Sequence, residues 1–324
     1  MHEPRRLAGR YLIQGPPALF RVVRSSGPAR TARSPSDRSE VPSAYPGAPI
    51  SHHGSIIIPA HNEATVIERM LRPLVALTES ADIEIVVICN GCTDTTAELA
   101  RSFPGVTVIE IERPSKSAAL NAGDAAAHLW PRLYLDADVE LAPDAVLAVL
   151  ESLSVGRALA ARPIARYDTA GAGFIVRSYY RARSRIPSLQ SSLWGAGVYA
   201  VSEEGHSRFG QFPNVSGDDF WVDQMFEPAE KAMVQTTPVI VHTPKSVSAL
   251  LGIMQRGHRG VIEVVTTERQ ASTSTARTIA DLTSTARGIP SLVDATVYAV
   301  LSLAARRVSR QGRAAGWERD ETSR

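Results

Sequence analysis

Between Ser55 and Asp138 one unit recurs: a short apolar run, a polar loop, then a stretch with helical spacing of its apolar residues. Ser55-Ile-Ile-Ile-Pro59 is a β-branched run stopped by proline, and Ala64 to Leu77 follows as a helix. Glu84-Ile-Val-Val-Ile-Cys89 is the second buried strand, Asn90-Gly91-Cys92 its loop, and Thr93 caps a helix running to about Ser102. Val106 to Ile111 makes a third strand, Ser117 to Ala127 an alanine-rich helix, and Arg132-Leu-Tyr-Leu-Asp136 a fourth strand. Strands alternating with helices of this length predict an α/β fold, a parallel sheet with helices on both faces. Such sheets bind ligands beyond the carboxyl ends of their strands, so polar residues at strand ends become the candidates for chemistry.

After Ala142 the pattern loosens into a helix at Pro143 to Leu153, a strand near Ala158 to Ala165, and a glycine-rich turn into the strand Gly195-Ala-Gly-Val-Tyr-Ala-Val201. Residues 1–50 are rich in Arg, Pro and Ser and are expected to be a disordered tail, 51–265 the ligand-binding domain, and 266–324 a helical extension. The 324 residues are 44% hydrophobic and 21% charged, enough to bury a core and to exclude disorder throughout. A formal charge of +2 excludes nucleic-acid binding by bulk electrostatics. Cys89 and Cys92 cannot build a disulfide framework, a single C-x-x-C makes a poor zinc site, and both are expected to be packing residues. No start resembling a signal peptide is present. The apolar run from Ile289 to Ala305 carries Pro290 and Asp294 and falls short of the ~20 apolar residues of a spanning helix. A cytoplasmic location is expected, with the inner membrane face as a further option.

Three polar constellations could carry chemistry. Asp136-Ala137-Asp138 closes an apolar strand, where one carboxylate can face a ligand and the other a hard divalent cation. The competing reading is a pair of solvated turn acids. Gly217-Asp218-Asp219-Phe220-Trp221 sets adjacent carboxylates beside aromatics, a setting that raises proton affinity toward that of a general base. Acids satisfying a helix N-terminus would look the same. In Gln255-Arg256-Gly257-His258-Arg259 two arginines share a helical face or flank a flexible loop, and their forks match phosphate oxygens. Lys116, ahead of Asn121, could bind phosphate or simply reach solvent.

Taken in order, Pro59-Ala60-His61-Asn62-Glu63, Asn90-Gly91-Cys92-Thr93-Asp94, Lys116 with Ala119 to Gly123, Asp136-Ala137-Asp138, Asp218-Asp219 and Gln255 to Arg259 resemble the family 2 glycosyltransferases. The resemblance implies a GT-A fold, a Rossmann-like, mostly parallel sheet. It also implies a nucleotide-diphosphate sugar donor and Mg2+ or Mn2+. It places Pro59, His61, Glu63, Asn90 and Lys116 around the nucleoside, Asp136 on the ribose side, Asp138 at the metal and Arg256 and Arg259 on the diphosphate. Asp219 is the implied catalytic base of an inverting transfer to an acceptor hydroxyl, with Asp218, Trp194 and Trp221 on the acceptor side. Two positions depart from the family: His61 stands where an aromatic such as tyrosine is usual, and Asn90 where aspartate is common.

Processive relatives tend to carry Q-x-x-R-W and membrane helices; here Gln255 leads to Arg259 without tryptophan, so non-processive transfer is expected. The acceptor could be a glycan, a lipid-linked sugar or a small molecule. A nucleotidyltransferase would show a glycine-rich basic loop after the first strand, which Pro59 to Glu63 lacks, and a dinucleotide dehydrogenase would need G-x-G-x-x-G. A sugar-nucleotide-binding protein without turnover remains the non-enzyme alternative. Lastly, the run Leu292 to Leu303 followed by Arg306, Arg307, Arg310 and Arg313 suits peripheral contact with a membrane surface, against the alternative of a helix packed on the domain.

Overall fold

The computed structural model describes residues 52–156, 158–268 and 274–309; the tail expected over 1–50 and the last residues of the extension lie outside the described residues. In chain order the elements are β1 (His53–Ala60), α1 (Ile67–Leu74), α2 (Ala76–Ser80), β2 (Asp82–Asn90), α3 (Thr96–Arg101), β3 (Val106–Ile111), α4 (Lys116–Ala126), β4 (Arg132–Leu135), α5 (Pro143–Ser154) and β5 (Ala160–Asp168). There follow α6 (Phe174–Arg185), α7 (Pro187–Gln190), β6 (Val198–Val201), α8 (Glu203–Ser207), α9 (Asp218–Asp223), β7 (Lys231–His242), α10 (Val247–Glu268), α11 (Ser274–Thr285) and α12 (Ile289–Ser309).

The seven strands form one sheet in the order β3-β2-β1-β4-β6-β5-β7. β1 pairs in parallel with β2 and β4, β2 with β3, and β5 with β7. The expected parallel arrangement gives way at β6, which is antiparallel to both β4 and β5. The reason lies in the chain's route. After β5 the chain is at the carboxyl edge of the sheet, and α6 and α7 bring it back to that same edge. β6 therefore enters from the side where ligands bind, and its leading loop, Trp194 to Gly197, arrives beside the end of β4.

Side-chain alternation along the strands sorts the core into two layers. Ile56, Ile58 and Val87 pack with Leu71, Leu74, Val146 and Val149 of α1 and α5, while Ile57, Val86 and Ile88 pack with Ala119 and Leu120 of α4. A third cluster joins α6, α10 and α12 through Val176, Tyr179, Leu250, Tyr298 and Leu301. α6 and β7 were not anticipated from the sequence, and the boundary expected at residue 265 falls inside α10.

α12 is pinned to α6 by one carboxylate. Asp294, 2% exposed, accepts hydrogen bonds from Ser178 Oγ (2.5 Å), from Arg181 Nε and Nη2 (3.1 and 2.7 Å) and from Arg185. Burial pushes its pKa up, but these donors outweigh burial and hold it down to about 2. The folded-state value lies below the unfolded one, so the stabilisation is present above the ordinary carboxylate range and is lost as pH falls toward 2. Asp294→Asn should cost about 2 kcal/mol at neutral pH, discounted because both arginines keep some contact with water. Urea melts at pH 7 and pH 3 check this: the gap from the parent protein should narrow at the lower pH, and an equal gap at both would refute it.

Candidate active site

The carboxyl ends of β1 and β4, the start of α4, the loop leading into β6, and the start of α9 converge on one cleft, lined by Pro59, Lys116, Asp136, Gly197, Tyr199, Asp218 and Asp219 among others. Lys116 is the link between the two acidic pairs. It opens α4, whose N-cap Ser115 accepts from Ala118 N, and its Nζ lies 2.6 Å from Asp136 Oδ1 and 2.9 Å from Asp218 Oδ1. Burial disfavours the ammonium, yet Asp136 and Asp218 outweigh it and hold its pKa well above the usual value. Asp136 is driven the other way: burial lifts its carboxyl to about 6 against the pull of Lys116.

Asp136 is seated by the strand inserted beside it. Its backbone N–H donates to Gly197 O at 2.8 Å, and Gly197 has φ +68°. A Cβ there would come within 3.2 Å of Asp136 Oδ2 and 2.6 Å of Val139 Cγ2, so glycine gives the carboxylate its room. Asp138, two residues on, is exposed and makes no hydrogen bond or ion pair among the described residues.

The second acidic pair divides its work. Asp218, 3% exposed, accepts from Tyr199 OH at 3.0 Å as well as from Lys116, so both of its oxygens are occupied. Asp219 accepts from Gly195 N at 2.8 Å and Phe220 N at 2.7 Å. Burial, then the charge of Asp218, raises its pKa. The start of α9 is braced by α10: Gly217 and Gly260 approach so closely that a Cβ on Gly260 would lie 3.3 Å from Gly217 N, and Ser216 N donates to Glu263 Oε2 at 2.9 Å.

The expected nucleoside residues gather at the ends of β1 and β2. Pro59 is buried in the cleft lining, and His61 Nδ1 lies 2.6 Å from Asn90 O. Glu63 N donates to Thr96 Oγ1 at 2.7 Å. Asn90 is fully buried, and its Nδ2 donates to Ala60 O at 2.8 Å and so ties β1 to β2, while its Oδ1 has no hydrogen-bond partner among the described residues. Trp221 corrects the sequence expectation. It is 5% exposed and packs against Phe209 and Phe212 in the core, because it lies on the far side of α9 from Asp219. Trp194 keeps part of its surface, with Arg183 5.0 Å over its ring. Arg256 and Arg259 sit within the continuous helix α10, not in a flexible loop.

Cys92 packs against the core layer of β1 and β2, as expected. It is only part-buried, and a hydrogen bond from Cys89 lowers its pKa to about 6. Residues the sequence reading passed over are Tyr199, Gly195 and Arg183. Arg183 donates through Nε to Tyr167 OH at 2.8 Å, and its Nη2 would lie 2.9 Å from a Cβ at Gly195. The glycine-rich run Gly195-Ala-Gly197 was the available signal for this loop.

Among the described residues no group of three or more His, Cys, Asp or Glu could hold a metal, so no all-protein cage is built. The exposed Asp138 beside Asp136 does fit a hard cation of the Mg2+ or Mn2+ kind, which takes one or two carboxylates and completes its shell with phosphate oxygens and water.

A mostly parallel sheet with acidic pairs at the end of β4 and at the start of α9 defines a GT-A fold. Residues 55–194 match the model of the glycosyl transferase family 2. The chain is similar to the 4,4'-diaponeurosporenoate glycosyltransferase of Staphylococcus aureus, 25% identical over 191 residues that cover 56% of this chain and 48% of the relative. It thus spans about half the length of the curated relatives it matches. Among solved structures it resembles a mannosyltransferase of Pyrobaculum calidifontis in complex with GDP-Man and Mn2+, with TM-score 0.53, 19% identity and coverage of 80% and 83% of the two chains. It also resembles the glucosyl-3-phosphoglycerate synthase of Mycobacterium tuberculosis with Mn2+, UDP-glucose and phosphoglyceric acid, with TM-score 0.50, 20% identity and coverage of 68% and 81%.

Proposed function

We propose that this protein is an inverting, non-processive glycosyltransferase that moves a sugar from a nucleotide-diphosphate donor to an acceptor hydroxyl. The observation that carries the reading is the Lys116 bridge, which gathers Asp136, Asp218 and, next to it, Asp219 around one cleft at the strand ends. The nucleoside side would be formed by Pro59, His61 and Glu63, with Arg256 and Arg259 of α10 supplying positive charge toward the diphosphate. Asp219, aimed by the N–H groups of Gly195 and Phe220, takes the proton of the acceptor hydroxyl. The acceptor oxygen bonds to the anomeric carbon from one face as the bond to the diphosphate breaks on the other, so the configuration inverts without a covalent enzyme intermediate. Trp194 and Arg183 would flank the incoming acceptor, a glycan, lipid-linked or small-molecule hydroxyl. Asp138, with Asp136 beside it, would hold Mg2+ or Mn2+, which when bound neutralises charge on the leaving diphosphate. The reaction would take place in the cytoplasm, where nucleotide sugars are available, including the inner face of the membrane. Release of nucleoside diphosphate from UDP- and GDP-sugars, with and without acceptor hydroxyls, tests the reading. Binding without any release would favour a sugar-nucleotide-binding protein, and release of pyrophosphate from a nucleoside triphosphate a nucleotidyltransferase.

Asp138→Asn should remove the metal dependence of nucleotide binding and leave the melting temperature unchanged, since Asp138 is exposed and has no partner among the described residues. Calorimetry of UDP and GDP with Mn2+ and with excess chelator is the check. Equal binding in all four combinations of protein and condition would remove Asp138 from the metal site.

A further inference from the structure

α12 carries apolar side chains on both faces, more than a helix that only packs on its domain needs. The residues turned inward are Ser291, Asp294, Tyr298, Leu301 and Ala305. The residues turned to solvent are Ile289 (80% exposed), Leu292 (57%), Val293 (41%), Val300 (58%) and Leu303 (58%). At 3.6 residues per turn these five fall within one sector of about 100°, and they run for about 21 Å along the axis. Apolar side chains scattered singly over a surface are ordinary, but a continuous stripe of this kind marks an interaction face.

The charges around the stripe select its occupant. α6, bound along α12 by the Asp294 cluster, carries Arg177, Arg181 and Arg185, with Arg183 turned away onto Tyr167 and Trp194, and α12 ends in Arg306 and Arg307. The only acidic residue of either helix is Asp294, which is buried and paired. Phe174, at the head of α6, is exposed as well, with the Arg181 guanidinium 5.9 Å from its ring. A chain whose formal charge is only +2 therefore gathers five arginines around this face of two neighbouring helices. We propose that the α6–α12 face docks on an anionic membrane surface, with the α12 stripe among the acyl chains near the interface and the arginines at the headgroups.

Other occupants fit less well. A second copy would bring the same arginine rim against itself. The chain's own residues 1–50 hold eight arginines against three acids, so they share the sign of the rim. A spanning arrangement suits the length and composition of Ile289–Arg307, but the opposite face of the helix is already committed: Tyr298 stacks on Tyr179 at 5.0 Å and Asp294 is held by two arginines. The helix can lie on the bilayer without giving up these contacts. The inference stands apart from the transferase reading, because none of its residues touches the cleft chemistry.

Co-sedimentation of the full chain with phosphatidylcholine vesicles, and with vesicles that also contain phosphatidylglycerol, tests it directly. Binding should require the anionic lipid and weaken with salt. Leu292→Gln, Val300→Gln and Leu303→Gln combined should abolish it while leaving the thermal midpoint in place, because all three side chains face solvent. Arg177→Gln and Arg307→Gln should each lower the affinity about five-fold. The proposal falls if the folded protein ignores anionic vesicles at low salt, if the triple variant binds like the parent, or if light scattering shows a concentration-dependent dimer that the triple variant loses while vesicle binding is absent.

Discussion

Asp219→Asn is expected to lower the turnover of sugar transfer by ~10²–10⁴ while donor affinity stays within a few-fold. The carboxylate is held by two backbone N–H groups, from Gly195 and Phe220, and makes no ion pair with Lys116. An amide fills the same volume and keeps one acceptor oxygen, so the fold should survive and the loss should fall on the proton-transfer step. Burial and the neighbouring Asp218 raise the pKa of Asp219, so the group loses its proton at a higher pH than an ordinary aspartate. The acid limb of the kcat/KM profile should accordingly lie above the usual carboxylate range, and the limb should vanish from the residual activity of the variant. Near-normal turnover at saturating substrate would remove Asp219 from the role. It would not hand the role to Asp218, whose oxygens are committed to Lys116 and Tyr199.

The first half of the fold was legible because its signals are local. Ser55 to Pro59 and Glu84 to Cys89 are runs that only a covered strand can bury, and the loops and helices after them follow at regular spacing. α6 was illegible for the opposite reason. Its twelve residues include four arginines, and its buried positions are filled by Val176, Tyr179, Tyr180 and Ala182, whose role depends on α12, more than a hundred residues later. The antiparallel entry of β6 could not be read either, since direction within a sheet is set by the route of the preceding chain, not by the four residues of the strand. The site followed the same division. The acidic pairs and Lys116 were visible as residue types, whereas their division of labour was not: no spacing rule distinguishes Asp218, buried under Tyr199, from Asp219, which faces Gly195. Trp221 misled because an aromatic residue next to a motif has the same sequence signature whether it faces the ligand or the core.

Lys116→Met should be the most destabilising change in the cleft, costing about 3–5 kcal/mol, because it strands a buried carboxylate instead of merely removing a surface pair. Asp218 is 3% exposed and would keep only the hydroxyl of Tyr199, and Asp136, already raised to about 6, would lose the charge that opposes its burial. Lys116→Arg, which keeps the charge on a larger fork, should recover part of the loss. The physical cause is separable from a simple packing defect by a double-mutant cycle. In an Asp218→Asn background the lysine has one buried charge fewer to satisfy, so Lys116→Met should cost at least 1 kcal/mol less there than in the parent. Urea unfolding of the four proteins reads this directly. Additive costs would mean that the ammonium does not stabilise the fold through Asp218. An unchanged stability of the single variant, with nucleotide affinity alone reduced, would mean that Lys116 serves the donor and not the framework of the cleft.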